Sequence, residues 1–466
     1  MNQTLKIISP VDGSVYAERP LADDKTVHDT LARARAAQLH WREVPIAQRL
    51  EIATWFTDYM VADKAKVTEL LAWQMGRPMR YGPGEMRGFE ERARYMIKIA
   101  EQTLADIDVG PKPGFTLFLR REPLGVVLNL PAWNYPYMTA LNAVLPAIIA
   151  GNTVVMKHSS QTALVAEHID AMFRKANLPK DVFQILNMSH EATHKAISSG
   201  LVDQVGFTGS TAGGRAVMQS VAAAPNFPAT CLELGGKDPA YVRADADIAY
   251  AVENVIDAGY FNSGQSCCAA ERIYVHEAVY DRFLEEAVAL INGYKLGSPT
   301  DETTTLGPLV RTKAADYVRE QVAKAIRQGA KPLIDEKNFP ASKVGSPYMA
   351  PQLLANVDHS MDIMMEETFG PAHGIMKVSS DAEAIMLMND SPYGLTASIW
   401  TADENAAKEI GDKVQTGTVY MNRADYLEPG LAWVGVKESG RGATLSRIGY
   451  EHLTRPKSFH LKTKLS

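Results

Sequence analysis

Short, nearly continuous apolar runs alternate with helical patterns between residues 125 and 207. An apolar run of this kind is typical of a strand that is buried on both faces of a parallel sheet, and apolar residues at helical spacing indicate the connecting helices. The predicted strands are residues 125–130, 153–157, 182–186 and 204–207, and the predicted helices are residues 138–150, 164–175 and 192–199. This β-α-β-α order predicts a parallel sheet covered by helices.

The rest of the chain divides around this unit. Residues 24–63 carry apolar positions at helical spacing, and a strand and a helix within residues 240–259 begin a second α/β unit, which we place at about 236–440. The predicted strands at residues 117–120 and 457–462 fit neither core. The terminal strand alternates apolar and charged residues and has no local partner in sequence, so we expect it to pair with another chain.

Composition and charge limit the classes of protein to which this chain can belong. The 466 residues suggest two or three domains. The chain is 46% hydrophobic and 22% charged, with a net charge of −6 and no long basic run, which indicates a soluble globular protein without a nucleic-acid partner. No apolar run reaches the ~18 residues of a membrane span, and the N-terminus lacks a signal-peptide pattern. Three cysteines, two of them adjacent, make no disulfide framework, so we expect a reduced cytoplasmic protein.

Three separate segments supply residues for attack on a carbonyl group. Cys267 follows a Gly-Gln turn, Glu233 lies in an apolar, glycine-flanked turn, and Asn134 lies between two prolines. A nucleophile, a base and an oxyanion donor are the parts that such chemistry needs. Taken alone, the segment of Cys267 and Cys268 is better interpreted as two small buried residues.

At these positions the chain resembles the aldehyde dehydrogenase superfamily. The resemblance covers six blocks in order, from about residue 8 to residue 462. The blocks are Trp133-Asn134-Tyr135-Pro136, Glu233-Leu234-Gly235-Gly236-Lys237, Gly264-Gln265-Ser266-Cys267, Glu366-Glu367-Thr368-Phe369-Gly370-Pro371, Tyr393-Gly394-Leu395 and Gly435-Val436-Lys437-Glu438-Ser439-Gly440-Arg441-Gly442.

The resemblance implies an α/β protein of three parts. These are a Rossmann-like parallel-sheet domain that binds NAD(P), formed by residues 1–105 and 124–235, a second α/β catalytic domain of residues 236–440, and a small β arm for oligomerisation, formed by residues 106–123 and 441–466. In the family the arm adds strands to a neighbouring subunit, so a homodimer or a homotetramer is expected.

The resemblance also implies the reaction. An aldehyde is oxidised to the carboxylic acid with NADP or NAD as cofactor, through a thiohemiacetal and a thioester on Cys267. Asn134 supports the oxyanion, and Glu233 activates the water that hydrolyses the thioester. Two alternatives are a CoA-acylating relative, which normally lacks this glutamate, and a catalytically retired scaffold, which is expected to lose the nucleophile or the base.

No GxGxxG follows a predicted strand, but a glycine-rich turn at residues 207–214 enters a helix whose N-terminus can bind a phosphate. The alternative is a turn capped by Ser210 or Thr211. By the resemblance, the cofactor-binding residues are Trp133, Lys157, Ser160, Gly209, Ser210, Gly214, Leu234, Glu367 and Phe369. By the same resemblance, residues that line a substrate tunnel include Tyr135, Met138 and Trp433, together with Thr139, Asn142, Ser266, Cys268, Asp425 and Leu427.

Cofactor choice is predicted from the third residue after Lys157. NAD-preferring relatives often have a glutamate there, which repels a 2′-phosphate. This chain has Ser160, which is neutral and can donate to a phosphate oxygen. We therefore expect NADP to be accepted well; the alternative is that Ser160 caps the following helix.

One motif points to different chemistry. His190, Glu191 and His194 match HExxH, the signature of a zinc hydrolase. Ser189 is predicted to cap the helix, which places the two histidines in its first turn, and the carboxylates that follow lie too far away for the usual third ligand. We expect no metal site.

Overall fold

The computed structural model describes residues 4–465. Its helices, in chain order, are α1 (Asp24–Trp41), α2 (Ile46–Ala62), α3 (Lys64–Met75), α4 (Gly82–Leu104), α5 (Pro136–Ile149), α6 (Ala163–Lys175), α7 (His190–Ser198), α8 (Thr211–Ala222), α9 (Ile248–Tyr260), α10 (Tyr280–Asn292), α11 (Thr312–Arg327), α12 (Asp362–Met365), α13 (Asp381–Asn389), α14 (Glu404–Gly411) and α15 (Ser446–Glu451).

The strands range from two to nine residues. In chain order they are β1 (Thr4–Ile8), β2 (Val15–Pro20), β3 (Ile107–Asp108), β4 (Phe115–Pro123), β5 (Val126–Leu130), β6 (Thr153–Met156), β7 (Phe183–Ile185), β8 (Gln204–Thr208), β9 (Ala229–Glu233), β10 (Asp238–Val242), β11 (Ala270–His276), β12 (Lys331–Pro332), β13 (Gln352–Ala355), β14 (Ala372–Val378), β15 (Tyr393–Gly394), β16 (Thr396–Trp400), β17 (Thr418–Met421), β18 (Val436–Lys437), β19 (Gly440–Arg441) and β20 (Thr454–Lys462).

The first sheet confirms the predicted β-α-β-α unit. Its order is β19-β9-β8-β5-β6-β7, and every neighbouring pair from β9 to β7 is parallel. All five residues of β5 are buried, as expected for a strand with helices on both faces. The strand order of the sheet reverses at β5. The chain adds β6 and β7 on one side of β5 and then β8 and β9 on the other side, and all these strands stay parallel. The carboxyl ends of β5 and β8 therefore face the position where parallel sheets usually bind ligands.

The second sheet confirms the second α/β unit. Its order is β12-β13-β14-β11-β10-β16-β17, and its neighbours are parallel except at β12. The turn between β9, in the first sheet, and β10, in the second, is the glycine-flanked segment around Glu233. The two sheets thus meet at the candidate base.

A third sheet forms the arm, in the antiparallel order β20-β4-β3. The terminal strand has no local partner in sequence, as stated above, but all nine residues of β20 pair with the distant strand β4. The sequence did not reveal this partner because more than 300 residues separate the two strands. The outer edge of β20 has no neighbouring strand within residues 4–465.

The segment before β20 belongs with the first sheet. Gly440 and Arg441 of β19 pair with β9, and Tyr450 of α15 donates its hydroxyl hydrogen bond to the Met96 carbonyl of α4. We therefore propose that the arm begins at Thr454 and not at residue 441. The other predicted domain boundaries stay a prediction.

Candidate active site

The cysteine loop is held in an unusual backbone conformation. Asn262, Ser263 and Gly264, which precede Cys267, have φ angles of 54°, 59° and 72°. A left-handed conformation costs a non-glycine residue roughly 1–3 kcal/mol and persists only where the surroundings enforce it. Here the Ser263 hydroxyl donates to the Gly307 carbonyl at 2.8 Å, and the Val310 N–H donates to Gln265 Oε1 at 2.7 Å. The loop is therefore rigid.

A buried ion pair joins this loop to Asn134. Arg77 and Glu85 are 2% and 1% exposed and are hydrogen-bonded to each other. Arg77 also donates from Nε to Asn262 Oδ1 at 3.1 Å and from Nη2 to the Asn134 carbonyl at 2.6 Å. One guanidinium thus fixes the cysteine loop and the asparagine segment relative to each other. The sequence analysis did not predict this pair. The charges of Arg77 and Glu85, among apolar residues near the start of α4, were the available signal of a buried ion pair.

The three thiols differ in environment. Cys267 is half-buried and lies at the cleft described below, whereas Cys231 and Cys268 are buried. The hydrogen bond to Cys267 and burial raise the pKa of Cys268 well above its usual range, and its Sγ donates to Asp425 Oδ1 at 2.9 Å. Burial likewise raises the pKa of Cys231. Because the thiolate is the nucleophile, Cys268 and Cys231 are held in the unreactive form.

Glu233 ends β9 with its carboxylate turned toward two hydroxyl groups. Thr208 donates to Oε2 at 3.2 Å, and Thr444 donates to Oε1. Burial raises the pKa of Glu233, while these hydrogen bonds and the charge of Arg92 oppose the shift. A raised pKa makes the carboxylate a better proton acceptor near neutral pH.

Glycine allows the base turn to approach the cysteine. A Cβ on Gly236 would lie 2.1 Å from the Cys267 carbonyl oxygen. The side chain of Asn134 donates from Nδ2 to the Gln265 carbonyl at 3.3 Å, close to the same loop. The structure therefore brings all three predicted catalytic segments together, from the first sheet, the second sheet and the start of α5.

A cleft of about 1240 Å³ runs from Cys267 along the carboxyl ends of the first sheet. Eight of the nine predicted cofactor-binding residues line it: Trp133, Lys157, Ser160, Gly209, Ser210, Leu234, Glu367 and Phe369. Gly214 does not line the cleft. It faces the Leu234 side chain, which a Cβ on Gly214 would meet at 2.7 Å, so this glycine brings α8 close to the turn after β9.

Charged and titratable side chains line several parts of the cleft. Near Cys267 lies Glu367, whose Oε1 accepts from the Gly236 N–H at 2.9 Å; burial and the charge of Glu271 raise the pKa of Glu367 to about 7. The lining also includes Lys157, His190 and His194. Burial lowers the pKa of Lys157, and no carboxylate among the described residues forms an ion pair with it.

Phe369 is positioned by a buried carboxylate. Glu271 accepts from the Thr368 and Phe369 N–H groups at 2.9 and 2.8 Å and pairs with Lys237 Nζ at 2.5 Å. These contacts hold Phe369 at a φ of 51°, with its ring edge-to-face against Trp133 at 5.5 Å. Glu271 is a further residue that sequence reasoning missed.

The structure shows which of the two predicted helix-capping serines caps a helix. Ser210 caps α8 by accepting from the Gly213 N–H at 3.2 Å, as one alternative predicted. The cap proposed for Ser160 is wrong, because Ser159 accepts from the Gln161 N–H instead. Ser160 is exposed and lines the cleft.

The HExxH segment contributes His190 and His194 to the lining of the cleft. Ser189 caps α7, as predicted. His194 Nδ1 shares a hydrogen bond with Ser220 Oγ at 2.5 Å. Within residues 4–465, no three His, Cys, Asp or Glu side chains are grouped to hold a metal ion.

The three residues predicted to contact substrate, Tyr135, Met138 and Trp433, lie in or beside the apolar core. Trp433 is 4% exposed and belongs to the same apolar core as Cys268. Met138 packs on α4, where a Cβ on Gly88 would meet its Sδ at 2.6 Å. Tyr135 lies over the Arg77 guanidinium at 4.5 Å, and its buried hydroxyl has no hydrogen-bond partner among the described residues. None of the three lines the large cleft, and their contact with substrate stays a prediction.

Comparison with known proteins identifies this class of site. Residues 1–459 match the model of the aldehyde dehydrogenase family. The chain is 31% identical to the 3,6-anhydro-alpha-L-galactose dehydrogenase of Vibrio sp. (strain EJY3), with 98% of this chain and 95% of that protein covered. It is 32% identical to the succinate-semialdehyde dehydrogenase [NADP(+)] of Mycobacterium avium (strain 104), with 95% and 93% covered.

Solved structures agree. PnpE in complex with nicotinamide adenine dinucleotide matches with a TM-score of 0.95 at 29% identity, covering 100% of this chain and 95% of that one. The chain belongs to the aldehyde dehydrogenase family, which confirms the family, the α/β fold class and the enzyme class predicted from the sequence. In the part of the chain that the structure describes, no helix combines the length and the apolar character needed to cross a membrane.

Proposed function

We propose that this protein oxidises an aldehyde to the carboxylic acid with NADP or NAD as cofactor, with Cys267 as nucleophile and Glu233 as base. The observation that carries the proposal is that the segments of Cys267, Glu233 and Asn134 come together beside a cleft that Cys267 and Asn134 line. The lining of this cleft includes eight of the nine predicted cofactor-binding residues. The succinate-semialdehyde relative carries NADP(+) in its name, which supports the cofactor class.

The cleft fits a nicotinamide dinucleotide. The N-terminus of α8, capped by Ser210, offers N–H groups to a pyrophosphate. Lys157 lies unpaired among described residues in the cleft, suited to the adenosine side, while Glu367 and Phe369 lie on the nicotinamide side. The bound cofactor supplies the hydride acceptor of the oxidation.

The chain supplies the remaining chemistry. The Cys267 thiolate attacks the aldehyde carbon, and Asn134 Nδ2 and the Cys267 backbone N–H donate to the oxyanion; one such donor is typically worth ~10²–10³-fold in rate. Oxidation leaves a thioester on Cys267. Glu233 then takes a proton from the water that attacks the thioester carbon, the C–S bond breaks, and Cys267 recovers as the thiolate.

An assay of reduced-cofactor formation tests this proposal. The protein is incubated with NAD or NADP and a panel of aldehydes, with and without CoA. We expect the acid as product, formed at a rate that CoA does not change. An acyl-CoA product would indicate the acylating alternative, and no turnover on any aldehyde would indicate the retired scaffold.

We propose that NADP is used well, because Ser160 leaves the adenosine end of the cleft without a carboxylate near Lys157. The Ser160→Glu substitution introduces a negative charge that repels a 2′-phosphate. We expect it to lower kcat/KM for NADP by roughly tenfold or more, about 1.4 kcal/mol, and for NAD much less.

Ser160→Gln is the matched control, since glutamine has the size of glutamate without its charge. It should retain most of the NADP activity. Strict use of NAD by the unmodified protein, or equal loss with both cofactors in Ser160→Glu, would contradict the proposed role of Ser160.

We propose a homodimer or a homotetramer assembled through the arm. The outer edge of β20 carries no strand from residues 4–465, and Leu461 and Val109 of the arm are 47% and 53% exposed. Exposed strand edges pair readily with another chain. Deleting the residues after Arg455 should give monomers or insoluble protein in light scattering, whereas an unchanged oligomer would contradict an assembly role for β20.

We further propose that the protein works in a reducing compartment such as the cytoplasm. Its three cysteines are free, and a nucleophilic thiol has to stay reduced to react.

A further inference from the structure

A small cavity lies beside Glu233 and shares Phe207 and Thr208 with the lining of the cofactor cleft. It lies between the first sheet, α5 and the segment around α15, and its lining includes Glu233 and the half-buried His452. About 20 Å³ is available to the centre of a water molecule. One buried water needs roughly 10–15 Å³ by this measure, so the cavity has room for at least one.

The alternation of side chains along three paired strands creates this space. Gly206 of β8 pairs with Asn129 of β5 and with Cys231 of β9, so these positions share one face of the sheet. Because Gly206 has no side chain, a gap remains between the strands and α5. A Cβ on Gly206 would enter it, 3.3 Å from Asn129 Nδ2 and 3.6 Å from the Ala143 Cβ.

Two amide side chains present unsatisfied groups to the cavity. Asn129 and Gln204 are each 3% exposed and line it. Asn129 Oδ1 and Gln204 Oε1 have no hydrogen-bond partner among the described residues. Leaving a buried acceptor unsatisfied costs about 1–3 kcal/mol, and buried water is the usual partner for such groups.

The catalytic cycle requires a route by which the carboxyl group of Glu233 loses a proton. During thioester hydrolysis Glu233 gains a proton that it must lose before the next turnover. Thr208 and Thr444, which hydrogen-bond its carboxylate, both line the cavity. The cavity therefore connects the protonated group, through polar side chains, with an imidazole close to solvent.

We propose that this cavity binds water through Asn129 and Gln204, and that this water carries the proton of Glu233 toward His452 and bulk solvent. The inference rests on the proposed role of Glu233 as the base. Glu233 gives its proton to the cavity water, which releases one of its own protons outward, so that the carboxylate and the water are both regenerated. Only O–H bonds form and break on this path until the proton reaches the imidazole or solvent.

Two variants at one position test the path. Gly206→Ala places a methyl group in the cavity, and Gly206→Ser places a carbon of the same size that also carries a hydroxyl able to hydrogen-bond and relay a proton. The effects on strand backbone and packing are matched. Neither substitution touches Cys267 or the cofactor cleft.

The readouts are the burst of reduced cofactor, the slower turnover that follows it, and the solvent deuterium isotope effect on that turnover. We expect Gly206→Ala to keep the burst, to turn over severalfold more slowly and to show a larger isotope effect, while Gly206→Ser stays near the unmodified protein. Equal rates in all three proteins, or equal slowing in both variants, would overturn the proton path.

A crystal structure of the unmodified protein tests the water site itself. We expect an ordered water within hydrogen-bond distance of both the Asn129 and the Gln204 amide groups, and its absence would overturn the site. Failure of this inference is distinguishable from failure of the proposed function, because the latter would show as an acyl-CoA product, as no turnover of any aldehyde, or as unimpaired steady-state turnover in Glu233→Gln.

Discussion

Replacing Cys267 by alanine should abolish aldehyde oxidation, with a loss of roughly 10³-fold or more, as is typical when the nucleophile of a covalent mechanism is removed. The physical reason is that neither other thiol can take its place. Cys268 is 4% exposed and donates to Asp425, and burial raises the pKa of Cys231. Steady-state formation of reduced cofactor with a reactive aldehyde measures the loss.

Cys268→Ala is the matched control, since it removes an adjacent thiol from the same loop. It loses the hydrogen bonds of the Cys268 thiol, each worth about 1 kcal/mol, and should keep activity within about tenfold of the unmodified protein. A dead Cys268→Ala variant beside an active Cys267→Ala variant would show that the assignment of the nucleophile is wrong by one residue.

Replacing Glu233 by glutamine should separate the two halves of the reaction. Glutamine keeps the size of the side chain but cannot accept the proton of the attacking water, and a general base typically contributes ~10²–10⁴-fold. We expect a rapid burst of about one reduced cofactor per active site, followed by turnover slower by roughly that factor. Stopped-flow absorbance measures both phases.

The control is Glu285→Gln, which removes an exposed glutamate on α10 that lines neither the cofactor cleft nor the cavity beside Glu233. It should change neither phase. If Glu233→Gln showed unimpaired steady-state turnover, Glu233 would have no place in the hydrolysis.

Local patterns were sufficient to predict the parallel units, whereas the cofactor-binding residues were predicted from the family resemblance. The apolar run at β5 and the helical spacing in α5 and α6 are local signals, and the structure confirms them. The predicted cofactor residues follow strands of the first sheet or lie in loops that reach its carboxyl edge, where a parallel sheet places its ligands. Their grouping therefore follows from topology.

The supporting contacts depend on register and packing that the sequence does not display. The Arg77–Glu85 pair reaches Asn134 and Asn262 across separate segments, and Glu271 holds the backbone at Phe369 from a neighbouring strand. The cavity beside Glu233 requires the alignment of β5, β8 and β9. Each feature joins residues far apart in sequence.

Arg92, near the predicted substrate tunnel, also makes a contact that the sequence does not display. It lies within α4, is 8% exposed, and donates from Nη1 to Asn142 Oδ1 at 3.2 Å. Its charge favours the ionised form of Glu233. Sequence reasoning included Asn142 in the predicted tunnel lining but passed over Arg92, because a single arginine in a helix is usually solvated.

Direct detection of the thioester tests the central claim. Glu233→Gln is mixed with cofactor and aldehyde, quenched in acid during the burst, digested, and analysed by fragmentation mass spectrometry, with the Cys267→Ala, Glu233→Gln double variant as control. We expect the mass of the aldehyde less two hydrogen atoms on Cys267, and no adduct in the double variant. An adduct on Cys268, or a burst without any adduct on Cys267, would contradict the account.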